Sequence, residues 1–227
     1  MTVLTVVSAG LRDPSSTRLL ADRIAVAAER ELAATAHGIP AAGPLEGTAP
    51  AVEPVEVRHV EVRRHAHAIA DAMLTGFPSG ELAQALADVA DADALVLVTP
   101  TFQASFSGLF KSFVDLIEPD AVRGTPVLLA ATGGSERHSL VIEHALRPLA
   151  AYLGMSAVPT GIYAATADFG GEGTAALTTR IDRAARELRA LTAPAAARPA
   201  GPDAEGPGEP GPSAVTPFAE LLRSVGQ

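Results

Sequence analysis

Ten residues near the N-terminus, Ser8-Ala9-Gly10-Leu11-Arg12-Asp13-Pro14-Ser15-Ser16-Thr17, gather the side chains best suited to holding an anion. They follow the apolar run Val3–Val7 and lead into a helix-forming stretch. There, hydroxyls, backbone N–H groups and the Arg12 guanidinium would converge on a helix N-terminus, where aligned peptide dipoles favour negative charge. Each hydroxyl alone would be an ordinary helix cap. Ser8, Ser15, Ser16 and Thr17 together with Arg12 point instead to a phosphate. Gly-x-Gly-x-x-Gly does not follow the first strand, and no Gly-Lys-Ser/Thr P-loop occurs in the chain. A monophosphate therefore fits better than a pyrophosphate or a nucleoside triphosphate. A phosphoacceptor receiver domain would need acidic residues after the first strand and an aspartate ending the third, where Ser8 and Thr99 stand.

Two further segments carry unusual spacing: Thr99-Pro100-Thr101-Phe102-Gln103-Ala104-Ser105-Phe106-Ser107-Gly108-Leu109-Phe110-Lys111 and Thr132-Gly133-Gly134-Ser135. Each follows an apolar, β-branched stretch of the kind buried on both faces of a parallel sheet. The pattern predicts strands at Val3–Val7, Val55–Val62, Ala94–Val98, Pro126–Ala131 and Val158–Ala164. Helices are expected at Thr17–Ala36, Ala66–Leu74, Glu81–Ala90, Ser105–Ile117, His138–Leu153 and Thr174–Leu191, with a loop over His37–Pro54. Alternating strands and helices give an α/β, doubly wound parallel sheet of five strands, and the flavodoxin order 2-1-3-4-5 suits it. The charges of the second strand suggest a sheet edge. All three unusual segments then fall at strand carboxyl ends, where open α/β sheets bind ligands.

The remaining chain adds boundaries. Pro194–Pro212 is rich in Pro and Gly and reads as a disordered linker, so residues 1–192 form the domain, 193–213 the linker and 214–227 a short amphipathic helix. That helix would start at Thr216-Pro217 and present Phe218, Leu221, Leu222 and Val225 on one face. Cysteine is absent, which excludes disulfides and thiolate chemistry. A net charge of -9 argues against nucleic-acid binding. No apolar run reaches the ~18–20 residues of a membrane span, and the N-terminus carries no secretory pattern, so a soluble cytoplasmic protein is expected. His65-Ala66-His67 lacks a third ligand and is expected to bind no metal; Lys111 and Asp115 suit a surface pair. Pro148 lies inside the helix from His138, and its ring presses on the carbonyl of His144, so a kink or π-bulge is expected there.

The Pro100-to-Lys111 segment resembles the Pro-x-Tyr-x-x-Ser-x-x-Gly-x-Leu-Lys motif of NAD(P)H-dependent FMN reductases, with Phe102 where tyrosine is common. The Thr132-Gly133-Gly134 loop matches the same family, and the likeness runs from Val3 to about Ala164. It is greatest toward the sulfonate-type branch and toward reductases partnered with luciferase-like flavin-dependent monooxygenases. The resemblance implies that FMN is bound, its phosphate by the first loop. Its ribityl chain and ring would lie against Pro100, Thr101, Phe102 and Ser105 and against Thr132, Gly133 and Gly134, the glycines letting the backbone approach a flat ring. It implies hydride transfer from NADPH or NADH to flavin N5 with no catalytic side chain, because the cofactors carry the chemistry. Homodimers or homotetramers are implied too, and a tyrosine of the family stands at the oligomer interface where His144 stands here. A flavin-retaining quinone, azo or metal-ion reductase and an electron-transfer flavodoxin remain alternatives.

Overall fold

β1 (Thr2–Ser8) runs through the interior of a twisted sheet in the computed structural model, which describes residues 1–34, 54–171 and 173–192. It pairs in parallel with β2 (Val55–Glu61) on one side and β3 (Ala94–Phe102) on the other. β3 pairs with β5 (Pro126–Gly133), and β5 with two short strands in turn, β6 (Ser156–Ala157) and β7 (Ile162–Ala165). The order β2-β1-β3-β5-β6/β7 is the flavodoxin order. β2 lies at the edge, as its charged residues suggest. The chain divides after Ala193, and the second unit, Pro194–Gln227, lies outside the described residues, with the expected linker and terminal helix. The expected loop at His37–Pro54 does as well, apart from Pro54.

Strand alternation sends side chains to two separate cores. Leu4, Val6, Val96, Val98, Leu128 and Ala130 pack under α1 (Ser16–Ala33) and α6 (Gly173–Thr192). The opposite face, including Val7, Leu95, Leu97, Leu129 and Ala131, packs under α2 (Ala66–Thr75), α3 (Gly80–Ala90), α4 (Gly108–Val114) and α5 (Arg147–Tyr152). Alanines 27, 28, 184 and 185 are buried between α1, α6 and the sheet, and their small size permits close approach. Thr5 is buried in the sheet because its hydroxyl donates to the Asp88 carbonyl at 2.6 Å.

Three elements depart from the expected reading. Ser105 does not begin a helix: Ser105–Phe106 forms β4, antiparallel to Thr101–Phe102, and α4 starts only after Ser107, whose hydroxyl caps it by accepting from Phe110 N at 3.1 Å. The fifth strand is broken. After Val158 N donates to Val127 O, Pro159 has no N–H to continue the ladder. The break is tied down by Arg147, which donates to the carbonyls of Val158 and Pro159 at 3.0 Å each, and by Glu187, which accepts from Thr160 N and its hydroxyl at 2.7 Å. The helix expected over His138–Leu153 divides into a 3-10 turn at Glu136–His138, a π-helix at Ile142–Leu146 and α5. The widened turn sits at His144, as Pro148 requires.

Gly161, beside the strand break, lies against this π-helix: a Cβ there would stand 2.3 Å from Ile142 Cγ2. Gly161→Ala should therefore destabilise the fold by about 1–3 kcal/mol. Ile142→Ala removes the obstructing methyl, so urea unfolding of the double variant should show a loss smaller than the sum of the two. Full additivity would contradict the contact.

Candidate functional site

The carboxyl ends of β1, β3 and β5 bring the three unusual loops side by side. In the first loop, Ser15 is the N-cap of α1: its hydroxyl accepts from Arg18 N at 3.2 Å and its carbonyl from Leu19 N at 3.0 Å. Gly10 is required here, since a Cβ would fall 2.0 Å from Ser15 Oγ. The first-turn N–H groups of α1 therefore face the loop. Ser8 is buried, Ser16 exposed, and Thr17 buried with its hydroxyl 2.8 Å from that of Thr132.

A cavity of about 420 Å³ opens beside this loop and is lined by Ser8, Gly10, Arg12 and Ser15 together with Arg18, Glu61, Arg63 and Arg64. It extends toward β2; Pro100, Phe102 and Gly134 do not line it. Its guanidiniums are not equivalent. Arg18 is held by Asp22 and Glu61 at 2.6 Å each, Arg63 by Asp13 at 3.1 Å, and Arg64 by Glu61 at 3.0 Å. Arg12 is exposed and has no ion-pair or hydrogen-bond partner among the described residues. Burial, with the Arg18 charge beside it, holds His59 below the usual imidazole range, so its contact with Asp22 is not a charged pair near neutral pH. Arg12 is thus the cation left to meet an anion at the helix N-terminus.

The second loop is a β-hairpin rather than a helix start. Gln103 and Ala104 form its tip, with φ of 48° and 63°. Positive φ at both central residues is what a two-residue hairpin demands, and it normally selects Asn or Gly. Side chains with a Cβ are strained there, and such strain collects at functional loops. The hairpin is anchored from below: Thr99 Oγ1 accepts from Ser107 N at 3.1 Å and donates to the Pro100 carbonyl at 3.0 Å. Phe102 projects outward, 46% exposed, whereas Phe106 packs on Phe110 with ring centroids 5.9 Å apart. Thr101 Oγ1 is buried without a hydrogen-bond partner among the described residues.

In the third loop the two glycines part company. A Cβ at Gly134 would meet nothing within 4 Å, so its backbone is open to a ligand. A Cβ at Gly133 would stand 2.0 Å from the Tyr163 hydroxyl, so the protein itself fills that space. The sequence reading missed Tyr163, which had no signal beyond a buried strand position. It also missed Arg18, Glu61 and Arg63. Arg137 and His138 are exposed in the 3-10 turn that follows. Lys111 and Asp115 form the expected surface pair, and no cluster of metal-ligating side chains occurs among the described residues.

Among the described residues, an unpartnered hydroxyl at Thr101, an open backbone face at Gly134, an exposed ring at Phe102 and a guanidinium without a partner at Arg12 suit a phosphorylated ligand with a flat polar ring. Comparison with known proteins agrees with this chemistry. Residues 1–170 match the family described as NADPH-dependent FMN reductase. An FMN reductase (NADPH) of Pseudomonas aeruginosa is 40% identical over 116 residues, covering 51% of this chain and 62% of that protein. The NADH-dependent FMN reductase SfnE of Pseudomonas putida is 50% identical over 104 residues, covering 45% and 56%. The aligned part thus spans less than two thirds of these relatives. An oxidoreductase of Corynebacterium diphtheriae of known structure is 41% identical with a TM-score of 0.75, covering 85% of this chain and 97% of that one.

The hairpin tip supplies a test of its strain. Alanine in the left-handed region costs about 1–2 kcal/mol, against about 0.5–1 kcal/mol for the extra chain entropy of glycine. Ala104→Gly should raise unfolding stability by up to about 1 kcal/mol in urea titrations. A loss of stability would show that the turn is not strained.

Proposed function

This chain belongs to the NADPH-dependent FMN reductase family, and we propose that it binds FMN and reduces it with NAD(P)H. The observation that carries the reading is the first loop: an exposed Arg12, without a partner among the described residues, beside the hydroxyl-capped N-terminus of α1. Arg12 would hold the phosphate together with Ser8, Ser15, Ser16 and backbone N–H groups, at a point where the helix dipole adds to their attraction. Thr17 contributes indirectly, by fixing Thr132 through the shared hydroxyl contact. Thr101, Phe102, Ser105 and the Thr132–Gly134 backbone would seat the ring, with Pro100 holding the turn. Bound flavin supplies two-electron chemistry, taking a hydride from the nicotinamide; the protein contributes orientation, exclusion of water and fixed donors.

An exchangeable flavin is favoured over a permanently held one. Phe102 is the exposed aromatic of the hairpin, and Phe106 is committed to Phe110, which leaves no second ring from this loop to clamp a flavin. Release of reduced FMN would suit a flavin-dependent monooxygenase as recipient. That partner class rests on the resemblance of two stretches of sequence, the Ser8–Thr17 opening and the Thr216-Pro217-Phe218-x-x-Leu221 tail, to reductases paired with luciferase-like monooxygenases. Self-association is proposed through the helix around the π-turn. Leu140, His144, Pro148 and Tyr152, spaced four apart, are all exposed, Leu140 by 60% and Tyr152 by 82%. An exposed apolar stripe of this kind suits an interface between subunits.

The purified chain should be nearly colourless and should oxidise NAD(P)H only when FMN is added. Arg12→Ala should weaken FMN tenfold to a hundredfold, the ~1.5–3 kcal/mol of a charge-assisted contact, and leave riboflavin nearly unchanged. Equal losses for both flavins would sink the phosphate assignment, and a stoichiometric flavin surviving gel filtration would favour a flavin-retaining reductase. His144→Ala should lower the assembly state in light scattering or change the rate of FMN exchange. If neither moves, His144 is a structural residue only.

A further inference from the structure

We propose that Tyr163 is a positioning residue for the flavin seat, acting through the Gly133–Ser135 loop and resting on the FMN reading above. Tyr163 lies on β7 opposite Ala131 of β5, two residues below Gly133. Its side chain shares a sheet face with Ala131 and leans toward the carboxyl end of the neighbouring strand. At Gly133 the missing Cβ leaves a gap, and the phenol occupies it: a methyl there would stand 2.0 Å from the hydroxyl and 3.0 Å from ring Cζ. Beyond the gap the hydroxyl donates to the Ser135 carbonyl at 2.7 Å.

The loop has little else to hold it. Every residue from Gly134 through Leu140 is exposed, so the segment buries no side chain of its own until Val141. Tyr163, by contrast, is 6% exposed, and its carbonyl accepts from Arg180 at 3.3 Å, so the anchor is fixed from both ends. Thr101 of the hairpin also lies beside the phenol hydroxyl. Burial pushes the Tyr163 phenol above its usual range; the Thr101 hydroxyl works against that shift, although it lacks the geometry of a full hydrogen bond, and Asp168 adds to it. The phenol therefore stays protonated and remains a donor to Ser135. One rigid side chain thus lies against both the hairpin that would carry the flavin edge and the glycine loop that would meet its face. A seat held within a fraction of an ångström needs supporting residues of this kind.

Tyr163→Phe keeps the ring and deletes only the hydroxyl. FMN and riboflavin should both lose roughly three- to tenfold in affinity, the loss of one neutral hydrogen bond, because the ring seat and not the phosphate loop has loosened. Amide hydrogen exchange over 132–136 should quicken, while the melting temperature changes little, since water can satisfy the exposed Ser135 carbonyl. Gly133→Ala should displace the phenol and reproduce the loss, and adding Tyr163→Phe to it should cost little more. Wild-type affinity for both flavins in Tyr163→Phe, or a loss confined to FMN, would overturn the assignment. A wild-type chain that binds neither flavin would overturn the site reading as well.

Discussion

The 2.8 Å contact between the hydroxyls of Thr17 and Thr132, shut away from solvent, sets the spacing of the candidate site. It joins the first turn of α1 to the end of β5, two elements more than a hundred residues apart in sequence, across the intervening end of β3. Leaving either buried hydroxyl unpartnered would cost free energy, and each satisfies the other. The pair therefore fixes how far the Ser8–Thr17 loop stands from the glycine loop. The hairpin between them inherits that distance. Thr99 then sets its height, since one hydroxyl serves both Ser107 N and the Pro100 carbonyl. Three hydroxyls thus align the three loops with one another.

Much of this was legible in the amino-acid sequence, and for physical reasons. β1 and β3 are apolar on both faces because helices cover both, and no other common architecture asks that of a short strand. That a hydroxyl of the Ser15–Thr17 run would cap α1, and that Pro148 would widen a turn, could be recognised because both effects act on residues three or four away. Local chemistry is readable locally. The β4 hairpin was hidden for the same reason turned round. Gln103-Ala104 lacks the Asn or Gly that marks such a turn, so the strain of the tip erases its signature. The broken fifth strand was visible in Pro159 but masked by the apolar residues on either side of it.

What could not be read were contacts made across strands. Nothing near Tyr163 in sequence says that its phenol enters a gap at Gly133, because the two meet only once β5 and β7 are in register. The ranking of the arginines was hidden as well. Arg12, Arg18, Arg63 and Arg64 are alike in sequence, and only the placement of Glu61, Asp22 and Asp13 separates the free cation from the neutralised ones. A loop rich in charge is easily recognised; which of its charges is available is a property of the fold.

The interrupted strand at 156–165 also bears on which surfaces the sheet leaves open to another chain. A sheet with an open border offers unpaired backbone groups to any extended chain, a common route to aggregation. Here one border is β2, whose Glu56 and Arg58 are charged, and the other is two fragments, β6 and β7, too short to template a partner. At the gap between them, Arg147 occupies the Val158 and Pro159 carbonyls and Glu187 takes up the Thr160 N–H. Among the described residues both borders are thus poor templates for a further strand, without the sheet being rolled into a barrel. Any contact between copies would then run through side chains, whose pattern can be specific, rather than through backbone, which is the same in every protein.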